Sequence, residues 1–206
     1  MKMPNNNEAN TVAVQGNLAA VGTLEGGHFL IDLATASVLH AFQGHTAAVL
    51  SVIFDGDEII SGSQDKTIRV WDKMSGRETL RIDAGAVVYG VAAQENLLVA
   101  GLDDSTVRIF DRASGGPRHV LTEATGEVNA VAIDAQRMVS GSQDRKVRVY
   151  AVPSFQLVRV LEGPTNWVCS VALEGDRIVS GSNDNTVRLW DARNGDALHV
   201  LQGHSN

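Results

Sequence analysis

Cysteine is almost missing from this chain: its 206 residues hold one, Cys169. A single thiol excludes an intrachain disulfide framework and, with no Asn-x-Ser/Thr acceptor present, favours a reducing intracellular setting, cytoplasmic or nuclear. No run approaches the roughly 18 apolar residues that a membrane-spanning helix needs, so no membrane partner is expected. The opening MKMPNNNEAN lacks the apolar stretch of a signal peptide, and residues 1–8 are expected as a disordered lead. Positive charge is thin as well, with 17 Lys and Arg against 24 Asp and Glu for a net charge of −7. Nucleic-acid binding needs basic residues clustered enough to displace phosphate counterions. Here Arg69, Arg108, Arg148 and Arg188 recur singly, each expected to lay its stem over apolar neighbours at a strand edge, and no nucleic-acid partner is expected. Phosphate-cradling loops, Cys-x-x-Cys and His-Glu-x-x-His are all absent. Asp55-Gly56-Asp57-Glu58 offers too few oxygens for calcium and reads as a hairpin turn. Neither a metal nor a cofactor is implied.

What the chain does have is a repeat. SGSQDKTIRVWD at 61–72 returns as AGLDDSTVRIFD at 100–111, SGSQDRKVRVYA at 140–151 and SGSNDNTVRLWD at 180–191, with AVGTLEGGHFLID at 20–32 as a worn first copy. The glycines Gly22, Gly62, Gly101, Gly141 and Gly181 are spaced by 40, 39, 40 and 40 residues. A period of this size signals a solenoid or a radial array. Alternation such as Thr186-Val187-Arg188-Leu189-Trp190 makes the unit one of strands, and no stretch has helical periodicity. Each unit reads as four short antiparallel strands; in the second they are predicted over 49–54, 58–62, 67–71 and 78–82, separated by turns rich in Asp, Gly and Ser. The fourth unit carries Pro153-Ser154-Phe155 in its last turn, where a proline withholds no ladder bond.

A Trp-Asp pair closing the third strand (Trp71-Asp72, Trp190-Asp191), a Gly-His pair opening a unit (Gly44-His45, Gly203-His204) and an Asp in the turn between them resemble the WD-repeat β-propeller family. The likeness covers residues 9–204 and implies an all-β fold of five four-stranded antiparallel blades, with units at about 9–44, 45–84, 85–124, 125–164 and 165–204. Propellers of this family commonly close with about seven blades. The resemblance therefore implies that the 9–206 domain is part of a larger propeller or associates with itself through open blade edges. Units one, three and four depart from the pattern, with Ile31-Asp32, Phe110-Asp111 and Tyr150-Ala151 in place of Trp-Asp.

In the resembled family His45 would reach between Ser61 and Asp65 while Trp71 donates its indole N–H, a network with fragments at Ser140 and Asp144 and at Ser180, Asp184 and Trp190. A Ser61/His45/Asp65 hydrolase is the enzymatic alternative, but it needs an exposed nucleophile and oxyanion donors that an apolar strand does not supply. The expected role is a structural clamp in a non-enzyme. Gly27-His28 imitates the opening pair yet aligns with strand three of unit one. Family partner-contact positions flank the first valine of strand one and precede the turn Asp. Carried over, they give Leu50, Val87, Tyr89, Glu127, Asn129 and Trp167, with Gln64, Asp103, Gln143 and Asn183. The implied function is a scaffold or adaptor that docks an extended peptide or loop of another protein. An F-box ubiquitin-ligase substrate receptor is the alternative suggested by Ile59-Ile60-Ser61-Gly62-Ser63, although those contact positions lack the basic side chains that would read phosphate.

Overall fold

The computed structural model describes residues 8–203; most of the expected lead and the His204 pairing lie outside them. Among the described residues there is no helix, and the strands form five four-stranded antiparallel sheets, each of four consecutive strands. The first holds β1 (Ala9–Gln15), β2 (Leu18–Thr23), β3 (His28–Asp32) and β4 (Ser37–Phe42). The second holds β5 (Val49–Asp55), β6 (Glu58–Ser63), β7 (Thr67–Asp72) and β8 (Glu78–Asp83). The third runs through β9 (Val88–Gln94), β10 (Leu97–Leu102), β11 (Val107–Asp111) and β12 (Pro117–Leu121). The fourth is β13 (Val128–Ile133), β14 (Arg137–Ser142), β15 (Val147–Ala151) and β16 (Leu157–Leu161), and the fifth β17 (Val168–Glu174), β18 (Arg177–Ser182), β19 (Thr186–Asp191) and β20 (Ala197–Gln202).

Strands of the second sheet begin where the alternation predicts and each runs one residue further. Asp55 pairs with Glu58 across a turn in which Gly56 takes a φ of 60°, so the ladder continues to the turn itself. The chain falls into two compact units: one runs up to Val91 and includes Ala113–Gly116, and the other holds Ala92–Arg112 and the described residues from Pro117 on.

Within each unit, neighbouring sheets lock by the same device. A Cβ added at Gly22 or Gly62 in the first unit would come within 2.5 Å of Val49 or Val88. At Gly141 in the second unit it would come within 2.6 Å of Val168. The repeated glycine is therefore a seat into which the first valine of the next sheet drops, and a side chain there would force the sheets apart. Because both their faces are covered in this way, inner strands such as β6 are apolar on both sides, with Ile59 and Ile60 fully buried.

The fourth sheet's proline does sit in a turn. There Phe155 adopts a φ of 54°, where Gly76, Gly115 and Gly195 stand in three other sheets. A left-handed phenylalanine is strained. Its ring compensates by packing into the core formed by Val128, Met138 and Tyr150.

Candidate functional site

The clamp of the second sheet is assembled as a continuous chain of hydrogen bonds. His45 Nδ1 lies 2.9 Å from Asp65 Oδ2, its Nε2 lies 2.8 Å from Ser61 Oγ, and Trp71 Nε1 donates to the same Oγ at 3.0 Å. Thr67 Oγ1 donates to Asp65 Oδ1 at 2.6 Å, and the backbone N–H of Thr46 donates to Asp65 Oδ2. Burial pushes the Asp65 carboxyl up, but the hydrogen bonds from Thr67 and His45 outweigh it and hold the pKa at about 2. Burial, with the nearby Arg69 charge, lowers the His45 pKa despite the hydrogen bond and charge of Asp65. A neutral imidazole beside a carboxylate must donate from Nδ1 and accept at Nε2, so the Ser61 hydroxyl proton points at the ring. The opening glycine has a local reason, since a Cβ on Gly44 would collide with the Arg69 guanidinium.

These are the bonds of a catalytic triad, but not its surroundings. Ser61 is fully buried and its Oγ already accepts from an indole. A nucleophile so enclosed has no route to a substrate. His28 is the first residue of β3 and pairs with Gly22 and Phe42, as the alignment required. It is buried with both ring nitrogens unbonded, and burial together with the nearby His45 lowers its pKa to about 3.

Where the histidine is missing, the network divides. In the fifth sheet Trp190 Nε1 still donates to Ser180 Oγ at 2.9 Å, but Asp184 turns to Thr186 and to the Thr165 N–H. In the fourth sheet Ser140 is buried and Asp144 is taken by Arg148, whose guanidinium bonds both carboxylate oxygens at 3.1 and 2.6 Å. The expected reading of the recurring arginine as a cover for strand edges is therefore corrected. Arg108, Arg148 and Arg188 lie across from Asp104, Asp144 and Asp184, and only Arg69, whose aspartate belongs to His45, turns to Glu78 instead. The Asp-x-x-x-Arg spacing carried this signal. Thr67 was also missed, although a threonine two residues after the aspartate recurs at Thr106 and Thr186 with the same 2.6 Å bond.

The predicted contact positions divide between the units. Leu50, Gln64, Val87 and Tyr89 belong to the first, and Asp103, Glu127, Asn129, Gln143, Trp167 and Asn183 to the second. On the second, fourth and fifth sheets the turn residue and the residue before the valine are neighbours, joined by a backbone bond of 2.9 Å from Gln64 to Ala48, Gln143 to Glu127 and Asn183 to Trp167. In the second unit Gln143 Nε2 donates to Glu127 at 2.7 Å, while Asn129 Nδ2 donates to the Val168 carbonyl at 2.9 Å. The Asn129 amide is thus engaged in tying two sheets together. Trp167 is 47% exposed, its N–H held by Asn166 at 2.8 Å. Beside it, Cys169 lies 3.0 Å from Asn183 Oδ1, and burial raises its pKa away from thiolate character.

The family model of the WD domain, G-beta repeat, matches residues 36–72, 115–151 and 155–191, more than half of the chain. The chain belongs to the WD-repeat family. Each matched segment takes the last strand of one sheet and the first three of the next. Among curated relatives, the Kluyveromyces lactis Mitochondrial division protein 1 is 39% identical over 59 residues, 29% of this chain and 8% of that protein. Human WD repeat-containing protein 37 is 44% identical over 50 residues, 22% of this chain and 10% of that one. The WD-repeat chain thus spans a small part of the relatives it matches. The crystal structure of the computationally designed Ika8 protein matches 95% of this chain and 62% of its own with a TM-score of 0.84 at 26% identity. WD-repeat proteins generally act as protein-interaction scaffolds, and the family is typically non-catalytic.

Proposed function

We propose that this WD-repeat chain is a non-catalytic scaffold that takes an extended peptide or loop of a partner protein on the loop side of its second unit, with Trp167 as the anchor. The observation that carries this reading is a half-exposed indole with a fixed backbone. Trp167 accepts from Asn183 through its carbonyl and donates to Asn166 through its N–H, yet its ring lies outside the clamp that occupies Trp71 and Trp190. An aromatic of this kind offers large apolar area at small entropic cost, and such residues dominate interface energetics. Asp103, Glu127, Asn129, Gln143 and Asn183 place acids and amides at the equivalent positions of the same unit, with no lysine or arginine among them. The partner segment is accordingly apolar and neutral to basic, and carries no phosphate. Leu50, Gln64, Val87 and Tyr89 provide the corresponding positions of the first unit.

Peptides selected from a random display library against the intact chain test the reading. Neutral or basic apolar sequences should emerge, and Trp167→Ala should weaken them about thirtyfold, the equivalent of roughly 2 kcal/mol. Selection of acidic or phosphorylated peptides, or binding indifferent to the substitution, would move the site elsewhere.

A further inference from the structure

Two faces of the molecule lack the cover that their equivalents have. In the fifth sheet Val179 is 37% exposed, whereas Ile60, Val99 and Val139 at the same position are fully buried. Leu201 is 60% exposed, whereas Phe42, Ile82, Leu121 and Leu161 are buried. Gly181 keeps the seat of the repeat, but only Ser170 Oγ of its own sheet would approach a Cβ there. In the first sheet Val12 is 62% exposed, although Val52, Val91 and Val131 at its position are buried. Val91 shows what such a valine does, since it lies 3.0 Å from the Cβ position of Gly62. The nearer contact at that seat, Val88 at 2.5 Å, has Ala9 as its counterpart on β1, so one chain carries an empty seat on β18 and, on β1, Val12 as an unseated knob beside a smaller residue.

We infer that the β18 face takes the β1 face of a second copy of this chain, head to tail. Two polar matches specify that occupant beyond apolar area. Ser51 Oγ accepts the Val91 N–H at 3.2 Å between the second and third sheets, and Ser170, at the position of Ser51, stands exposed to accept the N–H of Val12 from the second copy. Arg137 donates to the Gly175 carbonyl at 2.9 Å in the turn of the fifth sheet, and Arg177 stands at the position of Arg137 with half its side chain exposed. Gly16 of the second copy, in the β1–β2 turn, occupies the place of Gly175 and offers the same carbonyl. Seat, knob, hydroxyl and guanidinium repeat contacts already made between sheets inside the chain, so the association is heterologous and uses different surfaces on the two copies.

Analytical ultracentrifugation of the intact chain tests this. The wild type should sediment as a concentration-dependent series above the monomer. Val12→Lys and Gly181→Val should each weaken association at least about thirtyfold while retaining the thermal transition of the parent; Arg177→Ala, an exposed change, is the control should Gly181→Val fail to fold. Mixing the two variants is decisive: Val12→Lys retains the seat and Gly181→Val retains the knob, so together they should form a one-to-one dimer and nothing longer. A wild type that stays monomeric at every concentration overturns the inference, and if it also binds no apolar dye the two faces are covered within one chain. Self-association that survives both substitutions, or variants that do not complement each other, overturns it as well.

Discussion

The second and fourth sheets hold the same corner with different chemistry. Both place an aspartate in the turn before the third strand, hold it ionised and tie it to a neighbouring loop, through Thr46 for Asp65 and Thr125 for Asp144. In the second the aspartate is answered by a neutral histidine that passes the connection on to Ser61 and Trp71. In the fourth it is answered by an arginine, and the chain of bonds stops there. The carboxylate is the fixed requirement and its partner is interchangeable. A charged partner closes the corner by itself, whereas an imidazole, with two usable nitrogens, links it to the sheet interior.

The difference predicts unequal losses. Arg148→Met should be the costliest change, about 3–5 kcal/mol, because it removes the charged partner of a carboxylate whose side chain is 6% exposed and leaves it only Thr125 and the Lys146 N–H. Adding Asp144→Asn should recover part of the loss, and urea midpoints of the single and double variants measure both. His45→Ala should cost less, roughly 1–3 kcal/mol, because the partner it removes is neutral and Asp65 keeps Thr67 and the Thr46 N–H. No esterase activity should disappear with it; an esterase present in the parent and lost in the variant would reverse the reading of Ser61.

Acid should separate the two units further. His28, surrounded by Phe42, Trp71 and His45, has a pKa of about 3 in the folded chain, against about 6.5 unfolded. The unfolded form therefore binds the proton more readily. The stability this group contributes is complete above about pH 6.5 and is lost as pH falls toward 3, at up to roughly 1.4 kcal/mol per pH unit. The lowered pKa of His45 acts in the same direction, while Asp65 and Asp144, both held low, add losses only below the ordinary carboxylate range. Both buried histidines belong to the first unit, so amide exchange at pH 5 should open β3 and β7 before β14 and β15. Simultaneous opening would mean that the histidines do not set the order. The smallest effect belongs to Trp167→Ala, whose unfolding free energy should stay within about 0.5 kcal/mol of the parent; a larger loss would place the indole in the core.

Most of the fold was legible because the repeat states it several times. Glycine pitch, turn aspartates and alternating strands give five four-stranded sheets, and alignment alone placed His28 on a strand. The His45 clamp was legible only through family likeness, since its four members are spread over 27 positions. Arg148 was misread because a lone arginine at a strand position says nothing of its direction until the turn folds Asp144 against it. Phe155 could not be foreseen in a left-handed conformation, because a cost in backbone strain is recovered only by a core that the strands of its own sheet and of the third sheet assemble together. Exposure of Val12 and Leu201 is likewise invisible in a sequence whose repeats look alike, since it depends on what stands next to each sheet.

The offset between the matched segments and the sheets governs where this molecule can be cut. A segment such as 155–191 is one unit of sequence, yet in space it is the outer strand of the fourth sheet joined to three strands of the fifth. Copying it would splice each new module to its predecessor by a shared sheet, as overlapping boards are fixed together. Excising it would leave two sheets incomplete. Fragments meant to stand alone should be divided between β16 and β17, where the chain passes from one finished sheet to the next.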